Sequence, residues 1–273
     1  MRTWVNGTIV EPAEALVSVF DHGLTVGDGV FETAKVVDGV PFALTRHLER
    51  LCSSAAGMGL PEPDLELVRH AVAETLTENS DAGPLRLRIT YTGGISPLGS
   101  DRGNGAPTLV VAVAPLRDWP ASSAVATVPW TRNERSATAG LKTTSYAENV
   151  VALAHAHAAG AAEALLANTA GNLCEGTGSN VFLVLDGEVL TPPLSSGCLA
   201  GVTRALVLEW TGALERDVPM AEVARAAEVF LTSSTRDVHG VHAVDGRTLE
   251  APGPVTKQVA STFAQRAATD VDP

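Results

Sequence analysis

Apolar residues at the start of the chain recur first at every second position and then at every third or fourth. Over residues 3–10 they alternate around Asn6-Gly7, a dipeptide suited to a two-residue hairpin turn, which predicts a pair of short antiparallel strands. Asp28 to Val37 alternates into a further strand. After Thr45 the period lengthens. Leu48, Leu51, Cys52 and Ala55 share one helical face that stops at Gly57 or Gly59, and a second amphipathic helix runs from Asp64 to Asn79 with Leu67, Val68, Ala71 and Val72 inward. Leu85, Leu87, Ile89 and Tyr91 alternate with polar neighbours, and Thr108 to Ala114 is almost continuously apolar; both read as sheet.

Two prolines and a run of small polar residues over Pro115–Ser123 interrupt this pattern. They suggest a first domain over 1–117, a linker over 118–124 and a second domain over 125–273. Beyond the linker, short strands near 125–128, 164–167, 181–185 and 229–232 alternate with helices near 145–159, 202–211 and 255–267. The mixture predicts an α+β chain of two α/β domains without a regular βαβ repeat.

Composition narrows the class of function. With 45% apolar residues the chain can bury a substantial core, and a formal net charge of −12 argues against a nucleic-acid partner, whose binding is dominated by phosphate neutralisation. Cys52, Cys174 and Cys198 are widely spaced, odd in number and without a CxxC pattern, so neither a disulfide framework nor a zinc site is expected and the setting reads as a reducing cytoplasm. The first residues lack the pattern of a signal peptide, and no apolar run is long enough for a membrane span. His155 and His157, two apart on a helix, point about 200° apart and cannot share one metal ion. His239 and His242 are candidates to line a pocket.

Only three lysines occur, Lys35, Lys142 and Lys257, against sixteen arginines. Lys35 belongs to a strand and Lys257 to a terminal amphipathic helix. Lys142 instead sits in Gly140-Leu-Lys-Thr-Thr-Ser-Tyr-Ala-Glu-Asn149, where Ser145 and Glu148 match a capping box and would set the lysine just before a helix. Further on, Cys174-Glu-Gly-Thr-Gly-Ser-Asn-Val-Phe182 carries a lone carboxylate, Glu175, in a glycine-bracketed turn. An amine and an acid so placed suggest pyridoxal phosphate: the amine forms a Schiff base with the cofactor aldehyde, and the acid keeps the pyridine nitrogen protonated. Arg50, read alone an exposed helix charge, could grip two phosphate oxygens. Ala200-Gly-Val-Thr-Arg204 opens a helix and Thr232-Ser-Ser-Thr235 follows an apolar strand, so their amides and hydroxyls could complete a phosphate cup.

In this order the pieces resemble the fold type IV (class IV) pyridoxal phosphate enzymes, which include branched-chain aminotransferases, D-amino acid aminotransferases and aminodeoxychorismate lyases. The resemblance runs from Asp21-His-Gly-Leu-Thr-Val-Gly-Asp-Gly-Val-Phe-Glu-Thr33 through Arg46-His-Leu-Glu-Arg-Leu51, Leu141-Lys142 and Glu175–Phe182 to Gly201-Val-Thr-Arg204 and Leu231-Thr-Ser-Ser-Thr235. It implies a D-amino acid aminotransferase-like fold with the active site in the interdomain cleft, and a homodimer. By position it makes Lys142 the Schiff-base lysine and proton shuttle, Glu175 the partner of the pyridine nitrogen, and Arg50, Val202, Thr203 and Ser234 ligands of the phosphate. Ser179, Asn180 and Ser233, in the same motifs, join the cofactor set.

The resemblance also implies a small amino compound as substrate, for which Phe31, Tyr91, Arg102, Tyr146 and Arg236 are the candidate contacts. The carboxylate trap of the D-amino acid enzymes is absent, since Phe31 replaces its tyrosine and Ser96-Pro-Leu-Gly-Ser100 offers Leu98 and Ser100. Tyr146, four positions after Lys142, is spaced as in the lyases. The first expectation is therefore a 4-amino-4-deoxychorismate lyase releasing 4-aminobenzoate and pyruvate for folate synthesis. The alternative is a class IV aminotransferase using the same lysine and cofactor.

Overall fold

A computed structural model describes all 273 residues, and the chain divides into two compact units. One comprises Met1–Arg117, Leu141–Ser145 and Val271–Pro273; the other comprises Asp118–Gly140 and Tyr146–Asp270. The sequence suggests one continuous domain from 125 onward, whereas 141–145, with Lys142, and the last three residues group with the first unit.

The first unit is a six-stranded sheet covered by helices. Its elements are β1 (Thr3–Val5), β2 (Thr8–Val10), α1 (His22–Thr25), β3 (Gly29–Val37), β4 (Val40–Pro41), α2 (Leu44–Gly57), α3 (Leu65–Thr77), β5 (Leu85–Thr92) and β6 (Thr108–Pro115). The strand order is β2-β1-β6-β5-β3-β4. Asn6 and Gly7 join β1 to β2 with φ of 45° and 97°, the doubly positive pair that a tight hairpin turn demands. Val30, Ala34 and Val36 of β3 and Leu85, Leu87 and Ile89 of β5 form one core with Leu48, Leu51 and Ala55 of α2 and Val68, Ala71 and Val72 of α3. Because successive strand residues face opposite ways, Phe31 and Thr33 of β3 lie on the other face of the sheet. Leu67, expected inward, is 42% exposed; Thr75 takes the inward position and donates its hydroxyl to the carbonyl of Ala71.

Two seams hold the first unit's distant segments. β4 pairs only with Val36 and Val37 of β3, and the remaining edge takes residues 142–144 instead: the amide of Phe31 donates to the carbonyl of Lys142 at 2.9 Å, and that of Thr144 to Gly29 at 2.8 Å. At the start of α2, Ala43 has no capping side chain. Asp272 supplies one, accepting from the Thr45 amide at 2.8 Å and its hydroxyl at 2.6 Å.

The second unit is built on a mixed nine-stranded sheet. It contains β7 (Ser123–Arg132), α4 (Ala147–Ala158), β8 (Glu163–Asn168), β9 (Leu173–Gly176), β10 (Asn180–Leu185), β11 (Glu188–Thr191), α5 (Val202–Thr211), β12 (Leu214–Glu215), β13 (Glu228–Ser233), β14 (Asp237–Val244), β15 (Arg247–Thr248) and α6 (Pro254–Thr269). The order is β12-β11-β10-β13-β14-β7-β8-β9, with β15 on β14. The alanine bias of α4 has a packing cause. Ala152 and Ala156 are buried against Ala126, Ala161 and Ala164, so helix and sheet approach closely. The expected capping box is absent: α4 starts at Ala147 with Tyr146 before it, and the Ser145 hydroxyl donates to the carbonyl of Gly27 at 3.0 Å. No helix is long and apolar enough to cross a membrane.

Candidate active site

Lys142 is seated by main-chain bonds. Besides its link to Phe31, its amide donates to the Ser54 hydroxyl of α2 at 3.2 Å, and Thr144 donates its hydroxyl to Gly27 at 2.9 Å. With the backbone held on both sides, the side chain runs along the face of β3 that carries Phe31, and Nζ lies 4.2 Å from the centroid of that ring. Arg88, opposite Thr33 on β5, uses the same face; its guanidinium carbon is 3.3 Å from the same centroid, and Nε donates to the Thr90 hydroxyl at 3.2 Å. Thr33 Oγ1 is buried there without a hydrogen-bond partner.

On the opposite, helix-covered face, Glu32 meets Arg50 and His47 of α2. Arg50 donates Nε to one carboxylate oxygen at 2.8 Å and Nη2 to the other at 2.7 Å, and His47 Nδ1 is 2.7 Å from the second oxygen. Burial alone would raise the Glu32 pKa. The charge and hydrogen bonds of Arg50, with those of His47, outweigh it and bring the value down to about 2. Burial lowers the pKa of His47, only partly offset by the hydrogen bond and charge of Glu32.

In the second unit, Glu175 lies near the end of β9 and is 9% exposed. One oxygen accepts the Leu199 amide at 2.9 Å and the other lies 3.2 Å from Arg132 Nε. The next turn is fixed by Glu163, which accepts from the Gly178 amide at 2.7 Å and the Ser179 hydroxyl at 2.8 Å. Asn180 donates to the Leu199 carbonyl at 2.9 Å, so the two segments are tied together.

Residues suited to an anion gather nearby in the same unit. α5 begins at Val202 after Gly201 with no side-chain cap, leaving its first amides to a ligand, and Thr203 is buried in that first turn. Gly201 has a steric reason to be glycine, because a Cβ there would collide with the Asn180 side-chain oxygen. α5 packs on β13, where the hydroxyls of Thr232 and Ser233 are buried without a partner. Ser234 follows directly after the strand. Buried hydroxyls are rarely left unpaired, so this donor set fits a phosphate group.

Several expected contacts are committed elsewhere. Arg102 puts Nε and Nη2 on Asp28 at 2.7 and 2.6 Å, and donates to the carbonyls of Gly59 and Met58 at 2.5 and 2.6 Å. Those bonds tie the loop that carries Arg102 to the end of α2. Arg236 is ion-paired with the buried Glu163 and stacks 4.0 Å over Trp119, so it too serves the unit's interior. Tyr91 joins the helix-side core rather than the face of Phe31. Tyr146 occupies the position before α4, in the second unit. His239 and His242 pair with the hydroxyls of Ser123 and Ser122 at 2.8 and 2.9 Å.

Sequence reasoning passed over Glu32, Arg88, Arg132 and Glu163. A signal existed for Glu32, an acid at a core-facing position of an alternating strand. Arg88 had none, because arginine between leucines reads as the wet side of a sheet.

The family profile described as amino-transferase class IV matches residues 29–244. The bifunctional aminodeoxychorismate lyase / D-amino acid transaminase of Mycobacterium tuberculosis is 33% identical, over 91% of this chain and 93% of its own. A branched-chain aminotransferase from the archaeon Thermoproteus uzoniensis, solved with norvaline, superposes with a TM-score of 0.89 at 30% identity, covering 97% of this chain and 94% of that one. A hypothetical aminotransferase from Mycobacterium tuberculosis in its PLP-bound form gives 0.88 at 30% identity, with full coverage of both chains.

Proposed function

This chain belongs to the class IV aminotransferases, fold type IV enzymes whose cofactor is pyridoxal 5′-phosphate, and within that family we propose that it moves an amino group between an amino acid and a keto acid. One observation carries the reading: the amine of Lys142 and the guanidinium of Arg88 share the ring of Phe31, at 4.2 and 3.3 Å from its centroid. A substrate whose reacting carbon lies beside Lys142 thus has a carboxylate-binding cation within reach, as amino and keto acids require.

The cofactor residues are Lys142, Arg50, Glu175, Ser179, Asn180, Val202, Thr203, Ser233 and Ser234. When bound, the cofactor supplies an electron sink for charge that develops at the substrate carbon. Lys142 Nζ would hold the cofactor through its aldehyde, and as a free amine it would serve as base on the substrate Cα–H. Glu175, fixed by Leu199 and Arg132, would supply the negative charge for the ring nitrogen. The first amides of α5 and the hydroxyls of Thr203, Ser233 and Ser234 would hold the phosphate, and Arg50 is the cation proposed to neutralise it. Phe31 walls the substrate side of the amine. A homodimer is part of this reading, supported by the exposed apolar side chains of Leu16, Val19, Phe20, Leu24, Ile95 and Leu98 in the first unit.

The lyase activity is the second reading, and the bifunctional mycobacterial relative is what supports it. One experiment separates the two. Full-length protein carrying cofactor is given an amino acid without acceptor, and in parallel 4-amino-4-deoxychorismate without acceptor. Transfer predicts loss of the visible absorption after one equivalent of amino acid and its return when a keto acid is added. Repeated release of pyruvate from aminodeoxychorismate with no such loss would replace transfer by the lyase.

A further inference from the structure

Glu32 sits mid-strand in β3 on the helix-covered face, between Val30 and Ala34, and is 1% exposed. A carboxylate there is costly unless its charge is matched and its oxygens are bonded. Arg50 and His47 meet both needs: Nε and Nη2 of Arg50 make two parallel bonds of 2.8 and 2.7 Å, and His47 Nδ1 closes on the same carboxylate at 2.7 Å. Arginine is otherwise a flexible side chain with many rotamers, and a two-point clamp on its fork removes most of that freedom before any ligand arrives. Glu32 and Phe31 are successive in the strand and so lie on opposite faces of the sheet, with Lys142 Nζ over the Phe31 ring.

We propose that Glu32 is a positioning residue for the cofactor: by gripping Arg50 along one edge of the guanidinium, it aims that group at the phosphate, with His47 as the anchor that keeps the carboxylate in place. The proposal rests on the reading of Arg50 as a phosphate ligand. Its consequence is selective. Glu32 should matter for binding pyridoxal 5′-phosphate and be indifferent to pyridoxal, which has the same aldehyde and ring without the phosphate.

The test is the ratio of dissociation constants for the two compounds, measured by absorbance titration of the full-length chain stripped of cofactor. Arg50→Met should collapse the preference for the phosphorylated form. Glu32→Gln should weaken pyridoxal 5′-phosphate binding by about tenfold, the worth of one charge-assisted hydrogen bond, and leave pyridoxal unchanged. In the Arg50→Met background, adding Glu32→Gln should change neither constant, because Glu32 then has nothing to aim. If Arg50→Met leaves the ratio at its wild-type value, the phosphate role of Arg50 fails and the proposal fails with it. If Arg50→Met collapses the ratio but Glu32→Gln keeps it, Arg50 stands and the role of Glu32 is overturned. Should Glu32→Gln not fold, Glu32→Asp carries the same test, since it keeps the charge but withdraws it by one methylene: a reduced ratio supports the clamp and a wild-type ratio overturns it.

Discussion

The carbonyl oxygen of Lys142 accepts the amide of Phe31 at 2.9 Å, so the residue that brings the amine is stitched to the strand that brings the ring beneath it. The side chain then needs only its own length to reach the 4.2 Å station over that ring.

That geometry singles out one lysine of three. Borohydride reduction of the purified protein with its cofactor should fix the label on the peptide containing Lys142 alone. Label on Lys35 or Lys257, found by peptide mass mapping, would displace the site.

Glu175 should be replaceable without loss of the cofactor but not without loss of rate. In Glu175→Gln the Leu199 amide keeps an acceptor, so the turn survives, whereas a neutral amide cannot hold a proton on the ring nitrogen. Turnover should fall by about a hundredfold or more while bound cofactor, read by absorbance, stays near one per chain. An unimpaired rate would reduce Glu175 to a structural acid.

Arg88 is expected to act on substrate rather than on cofactor. Arg88→Met should raise KM for amino and keto acids by about tenfold to a hundredfold, the range of a hydrogen bond to a charged group, with cofactor affinity unaltered. A change confined to cofactor affinity would move Arg88 out of the substrate site.

The clamp on Glu32 has a signature in acid. Its pKa in the folded protein, about 2, lies below the ordinary value of 4.5. The stabilisation is therefore complete above about 4.5 and is lost as pH falls toward 2 through the folded value. Thermal unfolding followed over that window should show a steeper decline for the wild type than for the double variant Glu32→Gln with Arg50→Met, in which both charges are gone. Parallel declines would mean that other carboxylates set the acid limit.

Asp272 caps a helix through Thr45, 227 residues earlier in the chain. Asp272→Ala should lower stability by about 1 kcal/mol, measured as a shift in the denaturant midpoint with an unchanged slope. No shift would show that water serves the Thr45 amide equally well.

Local signals carried much of this into the sequence. The Asn6-Gly7 hairpin and the helix at 202–211 were legible because turn chemistry and a 3.6-residue period need only neighbours in the chain. Lys142 and Glu175 stood out by rarity and by their turns. Pairings across the chain were not legible. Arg102 reads as a loose cation until Asp28, 74 residues away, claims it, and Ser145 reads as a cap until the carbonyl of Gly27 does. The segment that seats Lys142 groups with the first unit although it follows the linker in sequence: its partners are the backbone of β3 and a serine on α2, and no periodicity records them.

The seam between β3 and residues 142–144 also governs the order of events on the ribosome. Gly29 leaves the exit tunnel 115 residues ahead of Thr144, and at ordinary elongation rates of about 5 to 20 residues per second the bare edge of β3 waits on the order of ten seconds for its partner. An unpaired edge is an invitation to other nascent chains. The stretch that closes it is also the stretch that delivers the reactive lysine, so a chain arrested before that point is both adhesive and chemically inert.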